Sequence, residues 1–228
     1  DIAGCLYHVI ARGIERCRIF LDENDYLSFQ KRLENALKRT DNKCLAWSLL
    51  PNHFHLLILR GHFPLADLMR RLMSGYATSF NMKHKRNGHL FQNRYKAIIC
   101  QEDSYLLELM AYIHLNPLRA LIVQNYGSLE NYRWCGHGAI LGLRTCKFMD
   151  REYILKRFSS DEKIAIEKYD SFVRERINRY KKGEFSGGGL LKSLGVPSLS
   201  NTLILGKDKT PVNSCLLYTS DAADEEDS

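Results

Sequence analysis

Two apolar runs, Cys44–Leu50 and His53–Arg60, are separated only by the turn dipeptide Pro51-Asn52. Runs of that length on either side of such a dipeptide read as an antiparallel hairpin, and this pairing constrains the chain more than any other feature. Before it, Leu6–Arg12 alternates loosely and ends at Gly13, as a strand does, and Asp22–Thr40 carries Tyr26, Phe29, Leu33 and Leu37 at helical spacing. After it, Pro64 opens a second helix, because the N–H it lacks is idle in a first turn. Leu65, Leu68, Leu72, Tyr76 and Phe80 form that helix's stripe. Arg94–Cys100 supplies a fourth strand, and Glu102–Asn116 a third helix, stopped by Pro117. The order β-α-β-β-α-β followed by a helix predicts an α+β, ferredoxin-like (split βαβ, RRM-like) antiparallel sheet with helices on one face.

Beyond residue 125 the pattern is thinner. Tyr132-Arg133-Trp134 reads as an ordered connection. Ser159-x-x-Glu162 has capping-box spacing ahead of a helical run bearing Tyr169, Phe172, Val173, Ile177 and Tyr180. Glu184–Gly189, ending in three glycines, reads as a hinge. The expected divisions are 1–125, a mainly helical extension at 126–190, a truncated C-terminal segment at 191–214, and a tail at 215–228. The stretch Cys215–Glu225 resembles the translation of a sequencing-library adapter and is set aside as an artefact. Opening on Asp1 without a Met, the chain is expected to lack its true N-terminus.

At 228 residues there is one core to bury, with 45% hydrophobic and 26% charged residues. No apolar run reaches the roughly 18 residues of a membrane span, so no membrane partner is expected. Seven cysteines without a CxxC pair fit a reduced, cytoplasmic setting better than a disulfide framework. The net charge is +7, and the tail holds five acids and no base, so the body is more basic still. That balance favours a polyanionic partner such as nucleic acid, although a merely solvated surface has the same composition.

Three groups of residues can carry chemistry. In a strand, residues two apart share a face, so His53 and His55 project together while Phe54 points away. Two imidazoles side by side make half of a divalent metal site, and on spacing alone packing or surface positions explain them as well. On a helix Tyr112 and Asn116 are i and i+4, neighbours beside the apolar stripe of Leu106, Leu109, Met110 and Ile113, while His114 lies on the far side and reads as structural. A tyrosine in that position that simply packs its ring is the plain alternative. Lys83–Lys96 interleaves cations with aromatics, which suits a phosphate backbone with unstacked bases or, equally, a solvated loop.

Four ordered segments make the chain resemble a known family. Tyr7-His8-Val9-x-x-Arg12-Gly13, Pro51-Asn52-His53-Phe54-His55-Leu56-Leu57, Gly88-His89-Leu90-Phe91-Gln92-x-Arg94-Tyr95-Lys96 and Tyr112-Ile113-His114-Leu115-Asn116-Pro117-Leu118-Arg119-Ala120 look like the REP-associated tyrosine transposases. These are single-tyrosine insertion-sequence relatives within the HUH nuclease superfamily. The resemblance spans about residues 5–125 and implies an HUH catalytic domain there; the glycine-rich stretch at 187–195 is similar to a C-terminal extension of some members. It implies that Tyr112 is the nucleophile, and that His53, His55 and the side-chain oxygen of Asn116 bind Mg²⁺ or Mn²⁺. It implies nicking and rejoining of single-stranded DNA through a 5′-phosphotyrosine. The substrate would carry hairpin or palindromic, REP-like elements, met by Arg12, Lys83, Lys85, Arg86, Arg94, Lys96 and Arg119. The protein would act as a monomer or as a homodimer. A rolling-circle-type nickase shares the chemistry, a domesticated or inactive hairpin-binding protein shares the fold, and a small-substrate metallohydrolase lacks support from further carboxylate ligands.

Overall fold

The computed structural model describes residues 3–100 and 103–178. Its elements are β1 (Leu6–Arg12), α1 (Glu23–Thr40), β2 (Lys43–Leu50), β3 (His53–Leu59), α2 (Leu65–Lys83), β4 (Lys96–Cys100) and α3 (Asp103–Arg119), then α4 (Tyr126–Asn131), α5 (His137–Ile140), α6 (Arg151–Leu155) and α7 (Glu162–Glu175). The strands form one antiparallel sheet in the order β2-β3-β1-β4. That order is the split βαβ topology the sequence predicts.

The two crossover helices share one face. Phe29 of α1 sits 4.8 Å from Phe54 of β3, and Tyr76 of α2 sits 5.1 Å from Phe29, ring centre to ring centre. The third helix takes the opposite face, packing on β2 and β3. Alternation along β3 thus sends Phe54, Leu56 and Ile58 into the α1/α2 core and turns His53 and His55 towards α3. Asp22 and Asp25 cap α1 reciprocally, which anchors the helix just after the loop leaving β1.

Three local expectations change. Pro117 does not stop α3: the helix runs through it to Arg119, because the missing proline N–H removes one hydrogen bond while Ala120 N–H still reaches the Asn116 carbonyl at 2.8 Å. The cap of α7 is Asp161, which accepts from Ile164 N–H, and Ser159 instead accepts from Asp161 N–H. Cys5 is disulfide-bonded, whereas Cys17, Cys44, Cys135 and Cys146 are free thiols. The hinge at 184–189, the resemblance at 187–195, the segment at 191–214 and the tail at 215–228 lie outside the described residues. Among those described, no helix is long and apolar enough to cross a membrane.

The helices after α3 are fastened to the sheet and to α3. Trp134 and Gly136 continue the sheet beyond β2 through Leu49 N–H to the Trp134 carbonyl and Gly136 N–H to the Trp47 carbonyl, covering an edge that would otherwise be open. Deeper in, the Tyr169 hydroxyl lies 2.8 Å from Nδ1 of His114 and 2.7 Å from Nδ1 of His137, with all three side chains buried. His114 is therefore the structural residue expected from its side of the helix. Replacing Tyr169 by Phe leaves two buried imidazole nitrogens without that partner and should lower stability by about 1–3 kcal/mol, read as a lower urea midpoint with unchanged slope.

Candidate active site

The β1–β3 register assembles the site. His55 pairs with Ile10 and His53 with Arg12, so His8, Ile10 and Arg12 share the face of the histidine pair. His8 Nε2 and His55 Nδ1 are 2.9 Å apart, and their rings stack with centres 5.2 Å apart. The Tyr112 ring meets both edge-on, at 5.8 Å from each. His53 stands 5.1 Å from His55, ring centre to ring centre. Asn116, one turn along α3, donates from Nδ2 to the Tyr112 carbonyl at 3.0 Å. The structure thus brings Tyr112, Asn116, His53 and His55 together within one chain.

Burial governs the electrostatics. His8, His55, Tyr112 and Asn116 are buried, while His53 is half-buried at the rim. Loss of hydration pulls His8 down to about 3 and His53 to about 4, the latter with help from the Arg12 charge. His55 falls well below its ordinary value for the same reason, with the neighbouring imidazoles and Arg12 and Arg119 adding to it. All three rings are neutral near pH 7, the form in which an imidazole offers a lone pair. Burial pushes the Tyr112 phenol up, against the Arg119 charge, a hydrogen bond from Asn116 and the Arg12 charge. The Arg119 guanidinium lies over the Tyr112 ring, 4.6 Å from its centre.

This donor set fits a divalent cation. His53 Nδ1 is taken up by Asn52 Oδ1 at 2.6 Å and His55 Nδ1 by His8, which leaves Nε2 as each ring's donor, and Asn116 uses its nitrogen on the backbone, leaving its oxygen. A second group, Asp22, Asp25 and His84, brings three ligand atoms within 4.8 Å of one another. There the Lys83 ammonium lies 2.7 Å from Asp22 and 2.8 Å from Asp25, and Asp25 also accepts from Leu21 and Asp22 N–H, so the carboxylates are engaged in capping α1 and tying it to α2. His53, His55 and Asn116 are the better candidate.

The basic residues divide between two places. Arg12 stands opposite His53, Lys96 of β4 opposite Ile10, and Arg119 over Tyr112, so these three frame the histidine face. Lys83 is engaged with Asp22 and Asp25 at the α1/α2 end. Lys85 is exposed just past α2, Arg86 lies over the Phe80 ring at 5.8 Å, and Arg94 is exposed ahead of β4. His8 and Asn52 stand in the family-like segments of the sequence, but their contacts to His55 and His53 come only with the fold. The parity of His8 with Arg12 along β1 was the available signal for the first.

A split βαβ sheet that presents a His-x-His pair to a helical Tyr and Asn defines an HUH-like architecture. The model of the family described as "Transposase IS200 like" matches residues 1–116, just over half of the chain, and the chain belongs to that family. Among solved structures, it is similar to a REP-associated tyrosine transposase bound to a REP hairpin, with TM-score 0.52 and 15% identity over 64% of this chain and 85% of that one. Weaker likenesses are a putative transposase from Deinococcus radiodurans R1 (TM-score 0.37, 17% identity, 50% of this chain and 91% of that one) and tRNA(His) guanylyltransferase from Saccharomyces cerevisiae (TM-score 0.38, 11% identity, 75% and 79%). No curated protein matches the sequence.

The depressed histidines make stability depend on pH. A ring whose folded pKa lies below its ordinary 6.5 binds its proton more readily in the unfolded chain. The stability that burial of the neutral rings permits is complete above 6.5 and is lost as pH falls towards 4. The thermal unfolding temperature should therefore drop between pH 6.5 and 4, and a level profile there would contradict the neutral, buried assignment.

Proposed function

We propose that the protein is a metal-dependent single-strand DNA endonuclease and strand transferase, acting on hairpin or palindromic repeat DNA through a 5′-phosphotyrosine. What carries the reading is the meeting of Tyr112 with His55 and Asn116 within one chain that belongs to the IS200-like family. The REP-hairpin complex of the similar transposase supports the choice of DNA.

In this reading His53, His55 and Asn116 hold the cation. Bound there, Mg²⁺ or Mn²⁺ supplies Lewis-acid polarisation of the scissile phosphate. The Tyr112 oxygen attacks phosphorus, the P–O3′ bond breaks, and the 3′-oxygen leaves and takes up a proton as the phenol loses its own. A later DNA 3′-hydroxyl reverses the step at a new junction, so the phosphotyrosine conserves the bond and no nucleotide cofactor is required. Arg119 beside the phenol and Arg12 beside His53 place positive charge where the phosphate must sit, and Lys96 extends that field along the strand. Lys85, Arg86 and Arg94 are kept as outer DNA contacts, and Lys83 as the weakest member of the set because its charge is already engaged. Residues 1–125 form the catalytic domain in this reading, and the helices that follow buttress α3.

Incubation with hairpin-bearing single-stranded DNA and Mn²⁺ should give a covalent adduct that mass mapping assigns to Tyr112. Tyr112→Phe should abolish the adduct while leaving DNA affinity nearly unchanged, and an undiminished adduct would sink the assignment. His53→Ala with His55→Ala should reduce metal-dependent cleavage by more than about 100-fold, beyond the loss expected for an outer-shell group. Cleavage that persists in EDTA would speak against the site.

A further inference from the structure

Both candidate ligand rings are held at Nδ1 by a side chain that is not itself a candidate ligand. Asn52 donates from Nδ2 to the Arg16 carbonyl at 3.2 Å. A carbonyl can only accept, so that contact fixes which way the Asn52 amide points. Its Oδ1 is then the atom 2.6 Å from His53 Nδ1. An amide oxygen also can only accept, so His53 Nδ1 carries the proton and Nε2 the lone pair.

The loop that offers the Arg16 carbonyl is itself held in a costly shape. Glu15 and Arg16 are consecutive non-glycine residues in the left-handed region, at φ 51° and 60°. Gly13 N–H bonds the Asn52 carbonyl at 2.9 Å, and a side chain at Gly13 would fall on the Cys17 carbonyl oxygen. The strained turn and the β2–β3 turn are thereby joined at Asn52.

His55 has the corresponding partner in His8, whose ring is almost wholly buried and whose Nε2 lies on His55 Nδ1. A neutral pair sharing one proton has two arrangements. Only the one in which His55 Nδ1–H donates to His8 leaves His55 Nε2 able to bind a cation. His8 Nδ1 then carries the remaining proton, in a place where it has no hydrogen-bond partner among the described residues.

We infer that Asn52 and His8 are positioning residues, which lock His53 and His55 as Nδ1–H tautomers so that both Nε2 atoms serve one divalent cation. The inference deepens the proposed nuclease reading and rests on it for the cation. Outer partners of this kind typically change metal affinity by about 10–100-fold when removed.

The test uses the whole chain, with Mn²⁺ alone as probe and imidazole ¹⁵N shifts as a second readout. Wild-type protein should show both rings as Nδ1–H tautomers. Asn52→Leu and His8→Leu should each weaken Mn²⁺ binding by about 10–100-fold. Asn52→Asp keeps an acceptor for His53 and should stay within about threefold of wild type, which a merely structural role for Asn52 would not produce. Equal losses in Asn52→Asp and Asn52→Leu, or a wild-type His53 protonated at Nε2, would overturn the inference. If His8→Leu fails to fold, the Asn52 pair and the wild-type shifts still decide. Locked tautomers together with no Mn²⁺ affinity would support the lock and overturn the metal reading, so the two failures are distinguishable.

Discussion

The pairing of β1 with β3 at the centre of the sheet is the constraint from which the site follows. Because side chains alternate along a strand, a slip of one residue would turn His53 and His55 into the α1/α2 core and Phe54 out of it. Phe54 has Phe29 in contact on that side and is fully buried, so the aromatic cluster fixes the register that exposes the histidines to α3. The same pairing brings His8 beneath His55 and Arg12 beside His53. The hydrophobic face of β3 thus holds the polar face in place, and the geometry of the histidine pair depends on packing on the other side of the sheet.

Around that frame the charges are set against one another. Three imidazoles are neutral because burial makes their protonation expensive, and the two nearby guanidinium groups reinforce the effect on His55. Burial alone would make Tyr112 a poorer acid, while Arg119, Asn116 and Arg12 act in the opposite direction. A cation over an aromatic face is worth about 0.5–2 kcal/mol depending on exposure. Arg119 therefore cannot by itself ionise the phenol, and in the proposed reaction the phosphate and the cation must complete what the arginine begins.

Much of the fold was legible because its signals are local. The Pro51-Asn52 turn, the apolar runs beside it and the helical stripes of α1 and α2 each declare themselves within a few residues. His53 with His55, and Tyr112 with Asn116, were legible as pairs for the same reason, since one strand or one helix sets each spacing. Their mutual contact was not legible from spacing and came only through the family resemblance, because it depends on which face α3 covers, a choice made by non-local packing. His8 and Asn52 were missed on similar grounds: each acquires a role only through a partner brought near by the sheet or by the strained turn at Glu15 and Arg16. Lys83 was misleading, since its charge looks available in sequence and is engaged by acids about sixty positions away in the chain.

The path of the chain at Pro117 also determines who stands beside the phenol. Had α3 ended before the proline, Arg119 would have left the helix axis and its relation to Tyr112 would have been arbitrary. Instead the helix carries on for two residues, and Arg119 falls about two turns from Tyr112, on the same side. Proline removes the bond to the Ile113 carbonyl but leaves later donors intact. Ala120 N–H bonds the Asn116 carbonyl, Ile122 N–H the Pro117 carbonyl, and Leu121 turns left-handed at φ 56° to end the helix. Termination is thereby deferred just long enough to place a guanidinium over the tyrosine ring, and Asn116, immediately before the proline, keeps its i+4 relation to Tyr112. A residue that reads in sequence as a stop signal is, in the folded chain, part of what sets Arg119 over the Tyr112 ring.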